Sequence, residues 1–188
     1  MAVGSARGTD TWQTEDMSTH PLVVALFDTE TAAATAAMAL RAVGVPRERV
    51  SIIARSPQAE GQLADATGAT PGSEIEESYR ASRLGELGAH LLAAIAVVMP
   101  GIGPILADGP LAADLSEVAG HLAGGVGTGL TRAGLAPDRA ARWESEIAQG
   151  RVLVGAHVAE EHVGRVLEAV TGAGASDMAT VAWPGNLP

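Results

Sequence analysis

The sequence predicts an α/β sandwich: a four-stranded antiparallel sheet with two helices on one face, interrupted in mid-chain by a long Gly/Ala-rich helical hairpin. Three observations predict it. A strand–helix–strand pattern opens the patterned part of the chain, and a second one closes it. The stretch between them, Ser56 to Gly150, is far too long to be a loop.

The first unit starts with Leu22 to Phe27 (LVVALF), a short apolar run ending at Asp28 that reads as a buried strand. Asp28 or Thr29 can cap a following helix, with Glu30 near the positive end of its dipole. That Ala-rich helix stops at Gly44, with Pro46 just beyond. Val50 to Ala54 (VSIIA) is the second strand. In the closing unit, Arg151 to Val158 (RVLVGAHV) is a strand and Glu160 and Glu161 open a helix that ends at glycines. Asp177 to Trp183 (DMATVAW) is the last strand. Two such units meet the requirement of a ferredoxin-like split βαβ sandwich. The crossover helices are expected to bury Ala33, Ala37, Leu40, Val163, Leu167 and Val170 against the sheet.

The intervening region begins with a Pro/Gly-punctuated polar stretch to Gly72. Ser73 and Glu76 form a capping box for a helix running to about Val98. The knot Pro100-Gly101-Ile102-Gly103-Pro104 breaks it. A second helix is expected from near Pro110 through Leu115, Val118 and Leu122 into the glycines that follow, and a short helix starts at Pro137. The domain organisation is thus a disordered tail over 1–20, an α/β domain in two halves at 21–56 and 150–184, and an inserted helical region at 57–149.

Composition narrows the function classes. The formal net charge is −10 and all 12 basic residues are arginines. An acidic chain repels phosphate backbones, so nucleic acid is not an expected partner, and binding to anionic lipid by charge alone is disfavoured. Cysteine is absent, which excludes disulfides, thiolate metal sites and Cys nucleophiles. The polar start of the chain lacks the apolar core of a signal peptide, so the cytoplasm is the expected compartment. With aromatics at only 3%, the core must be built from Ala, Val, Leu and Ile.

Chemistry-bearing motifs are few. Leu91 to Ala107 carries no charge, but prolines and glycines sit at its middle and it is at the lower edge of a spanning length. It reads as a hairpin buried between subunits or against its own sheet, with an interfacial membrane wedge as the alternative. Leu84 to Ala94 and Leu115 to Gly125 are similar at an offset of 31 (115 minus 84), and each holds Glu-x-x-x-His. The pairs Glu86 with His90 and Glu117 with His121 each share a helical face. Across a hairpin they can converge as a two-Glu, two-His metal site; otherwise each pair stabilises its own helix. His157 and His162 read as buried or rim histidines. There is no Gly-x-Ser-x-Gly elbow, no dinucleotide fingerprint and no phosphate loop. Trp143 and Trp183 read as anchors for the hairpin, and Pro100, Gly101, Gly103, Pro104 and Trp143 as its interaction residues.

The opening VVALFDTETAAATAAMALRAVGV with RVSIIAR, the knot PGIGPILADGPLAA, and the stretch GLAPDRAARWESEIAQGRVLVGAHV together resemble the general stress protein 17M-like (heat-induced stress protein) domain family. The resemblance spans Pro21 to Trp183. It implies an α/β domain with a Gly/Ala-rich insertion and a link to general stress. It implies no reaction, no cofactor and no catalytic residue. Glu86, His90, Glu117 and His121 depart from the glycine-richer hairpins of that family and weigh against a membrane reading. The expectation is a non-enzymatic stress-type protein that works as a homo-oligomer, a dimer, or by binding a partner.

Overall fold

The computed structural model describes residues 20–55, 95–99, 102–112, 115 and 125–184. Its strands are β1 (His20–Phe27), β2 (Val50–Arg55), β3 (Ile95–Met99), β4 (Gly103–Asp108), β5 (Val152–His157) and β6 (Asp177–Trp183). The helices are α1 (Glu30–Ala42), α2 (Val126–Arg132), α3 (Pro137–Ala148) and α4 (Val163–Gly172). All six strands form one sheet in the order β3-β4-β2-β5-β1-β6, with every neighbouring pair antiparallel.

The two strand–helix–strand units form as the sequence predicts. β1 is apolar at every position from Leu22 to Phe27 because it lies between β5 and β6 with both faces covered. α1 starts where Thr29, rather than Asp28, accepts the Ala32 N–H on its hydroxyl at 3.2 Å. It ends with the Val45 N–H returning to the Leu40 carbonyl around Gly44.

The sheet has six strands, not four, and the inserted region is not a helical hairpin about the proline knot. Ile95–Met99 and Gly103–Asp108 are instead a β-hairpin, with Met99 opposite Gly103 and Ile95 opposite Ala107. A short apolar run has no periodicity that separates buried helix from buried strand, and here the β-branched residues and the Pro-Gly and Gly-Pro steps favour the strand. Gly103 takes φ +91° at the turn. Pro104 is tolerated because it pairs only with Val98; β2 joins β4 from Ile105 onward, where backbone donors are needed. β4 thereby adds the hairpin to the edge of β2.

Helices cover both faces rather than one. On one side α1 and α4 bury Ala33, Ala36, Leu40, Val166 and Val170 on Val23, Ala25, Phe27, Ile52 and Val154. Ala37 is buried as expected, while Val163 and Leu167 are only partly so. On the other, the inserted region supplies a second layer: Leu111, Leu115, Val126, Leu130, Trp143 and Ile147 pack on Leu22, Val24, Leu26, Ile53, Ile105 and Leu153. β-strand alternation divides the two cores, with even and odd positions of β1 facing opposite layers. The helix expected to run on from Pro110 is helical at 110–112, and a separate helix, α2, opens after Gly125 with Gly127 and Gly129 inside it. α3 starts at Pro137 as predicted.

Candidate functional site

Polar side chains gather at two ends of the sheet and at one helix start. The first end holds His20, His157 and Trp183. His20 faces Trp183 across the β1–β6 pair, and Leu22 faces His157 across β1–β5. All three lie on the face covered by the inserted region. The His157 ring lies 4.1 Å from the Trp183 ring, centroid to centroid, tilted by 58°. His157 is fully buried, and neither ring nitrogen has a hydrogen-bond partner among the described residues. Burial, with lesser contributions from His20 and Arg49, pushes its pKa from 6.5 down to about 4. The imidazole is therefore neutral near pH 7. A general base needs a pKa near the working pH and reach to a substrate proton, and this ring has neither.

The second end is built on Asp177, the first residue of β6. The Trp143 indole N–H donates to its Oδ2 at 2.7 Å, Arg139 donates to Oδ1 at 3.3 Å, Arg142 pairs with Oδ2, and the Met178 N–H donates to Oδ1 at 2.9 Å. Burial pulls the Asp177 pKa upward, but the Trp143 bond, Arg139, the Met178 N–H and Arg142 together outweigh it and hold the carboxyl below its usual value. The cluster continues with alternating sign: Arg142 to Glu146 at 4.0 Å, Glu146 to Arg151 at 2.8 Å, and Arg151 to Asp28 at 3.0 Å. It ties α3 to the starts of β5 and β6 and to the end of β1.

The third locus is the start of α2, where the Gly127 N–H donates to Glu144 Oε2 at 3.2 Å. A carboxylate from α3 thus faces the positive end of α2. Gly125 and Gly127 leave the space it occupies, since a Cβ at either would collide with the Glu144 carboxylate.

Sequence reasoning missed Asp177 and Glu144 as organising residues. The available signal for Asp177 was on its partner helix: Arg139, Arg142 and Trp143 stand at spacings of three and four, on one face of α3. The expected metal residues Glu86, His90, Glu117 and His121 lie outside the described residues, as do Pro100 and Gly101. No group of three or more His, Asp and Glu capable of holding a metal is found among the described residues. Gly103 and Pro104 serve the β-hairpin turn. Trp143 is buried and anchors α3 rather than a proline-knot hairpin. Ile105 and Ala107, within the segment weighed as a membrane wedge, are fully buried in the core. Among the described residues no helix is long and apolar enough to cross a membrane. A shallow open depression lined by Arg47, Glu48, Asp108 and Gly109 mixes both signs of charge.

The fold and these clusters define an α/β protein with an open antiparallel sheet. In comparisons with known proteins, no family model, no curated protein and no solved structure matches the chain.

Proposed function

We propose that this chain is a non-enzymatic general-stress-type protein of the cytoplasm that acts by self-association or partner binding. Its core is a ferredoxin-like split βαβ sandwich enlarged by a hairpin and a second helical layer. The block β2-β5-β1-β6, with α1 and α4 on one face, supports that fold reading. The resemblance of its motifs to the general stress protein 17M-like family supports the stress link.

One observation carries the functional reading: the carboxylates the fold gathers are committed to internal partners. Asp177 receives four donors from α3 and its own strand. Glu144 caps α2, and Glu146 bridges two arginines. A carboxylate so engaged holds layers together and leaves function to the surface. The reading is tested in the native host by quantifying the protein before and after heat and oxidative shock, and by light scattering and crosslinking of the purified chain. Induction with a defined oligomer or a specific crosslinked partner is expected. A level that never changes, with a monomer that captures nothing, would refute it.

A further inference from the structure

The outer edge of β6 has no strand partner among the described residues, although it borders the longest continuous ladder of the sheet. Which of its backbone groups point outward follows from β1. The Pro21 carbonyl accepts the Val158 N–H on the β5 side, and the Leu26 carbonyl accepts the Ser176 N–H on the β6 side. Backbone groups of successive strand residues point to alternate sides. Leu22, Val24 and Leu26 therefore bond β6 through Val181, Ala179 and Asp177. Met178, Thr180 and Ala182 turn their N–H and C=O groups to the open edge.

Proteins protect such edges with Lys, Pro, bulges or covering elements. This strand uses little of that. Its pairing with β1 is unbroken from Asp177 to Trp183, so it has no bulge, and within Met178–Trp183 there is neither charge nor proline. The α2–α3 turn at Gly134 approaches the Ala182 carbonyl and the Val181 side chain, and the Asp177 carboxylate takes the Met178 N–H. Thr180 is exposed at the centre, and neither of its outward backbone groups has a backbone partner among the described residues.

We propose that this edge pairs with β6 of a second copy of the chain, antiparallel, about a two-fold axis at Thr180. The inference deepens the self-association reading by naming its surface. The occupant follows from self-complementarity. In that register Thr180 faces Thr180, Met178 faces the small Ala182, and Ala179 faces Val181. The two Asp177 carboxylates stand about 20 Å apart, at opposite ends. A net charge of −10 makes one copy repel another, and an edge free of charge from Met178 to Trp183 adds nothing to that repulsion. The Thr180 pair exchanges two hydrogen bonds, and each Ala182 N–H reaches the Met178 carbonyl opposite. The contact is isologous, so it closes as a dimer and does not propagate.

The chain lacks cysteine, so single introduced thiols report the register. In a bonded antiparallel pair the facing Cα atoms are about 5.5 Å apart, within disulfide reach. Mild oxidation of Thr180→Cys should give a covalent dimer, whereas Ala182→Cys, about 14 Å from its own copy, should not. Thr180→Lys sets like charges face to face and should weaken dimerisation severalfold in light scattering, with the thermal melt unchanged at concentrations where both chains are monomeric. In the wild-type chain, hydrogen exchange at the Thr180 amide should slow as concentration rises. A wild-type chain that stays monomeric, with concentration-independent exchange at Thr180, would overturn the pairing. So would a dimer indifferent to Thr180→Lys, although that result would leave self-association through another surface standing. Equal crosslinking at positions 180 and 182 would overturn the register.

Discussion

The Trp143 indole N–H and the Asp177 Oδ2 lie 2.7 Å apart, joining the largest buried side chain of the inserted layer to the first residue of the last strand. Across 34 positions of sequence, this bond fixes α3 to the sheet. Truncating Trp143 to Ala removes a fully buried ring and should cost about 3–5 kcal/mol. Asp177→Ala leaves the buried indole donor unsatisfied and should cost about 1–3 kcal/mol. Urea denaturation of both single variants and of the double variant should show a combined loss smaller than the sum, because they share one bond. Strict additivity would mean the bond contributes nothing.

His157 should make stability pH-dependent. Its pKa is about 4 in the folded chain and 6.5 when solvated, so between these values the unfolded chain binds the extra proton. Stability is then complete above pH 6.5, falls as pH is lowered towards 4, and levels off below that for this group. The loss should be about 3 kcal/mol. Urea midpoints between pH 7.5 and pH 4 should show this slope, and His157→Phe should flatten it. An identical slope in the variant would assign the pH dependence elsewhere.

Gly109 is expected to tolerate no side chain. It sits at φ +82°, and a Cβ there would meet the Val50 carbonyl oxygen and the Ser51 Cα, which are backbone atoms unable to swing aside. The turn also presents the Leu111 N–H to the buried Ser51 hydroxyl at 3.1 Å. Gly109→Ala should cost roughly 3 kcal/mol or more from combined strain and overlap. By contrast, Gly150→Ala meets nothing within 4 Å and carries only the strain of its positive φ, so it should cost about 1–2 kcal/mol. Thermal melts of the two variants should rank in that order.

Glu144 should stabilise α2 from outside that helix. Glu144→Ala removes the acceptor of the Gly127 N–H and should cost about 1 kcal/mol. Glu144→Gln keeps an oxygen acceptor but loses the charge facing the helix start, and should recover part of that loss. Chemical denaturation at low salt separates the two variants, and a Glu144→Gln variant as stable as the wild type would exclude a charge contribution.

Much of the α/β core was legible because its signals are local. LVVALF, VSIIA and VLVGAHV are apolar runs of strand length, and Thr29 and Gly44 mark the ends of a helix between two of them. α3 was announced by Pro137. The hairpin at 95–108 was not legible as strand from its pattern, because a short apolar run carries no periodicity that separates strand from helix. The Asp177 cluster was hidden for another reason. Its α3 members lie 34 to 38 positions from Asp177, and only the folded sheet brings them within bonding distance of it.

By itself the sequence determined the strand and helix segments of the two repeated units, the small-residue core and the acidic, cysteine-free chemistry, all of which follow from neighbours a few positions apart. Only the tertiary structure decided that Ile95–Asp108 joins the sheet, that helices cover both its faces, that His157 is buried beside Trp183, and that Thr180 turns its backbone outward. Those outcomes depend on which distant segments compete for the same apolar surface and the same backbone hydrogen bonds. That competition is settled only when the whole chain packs at once.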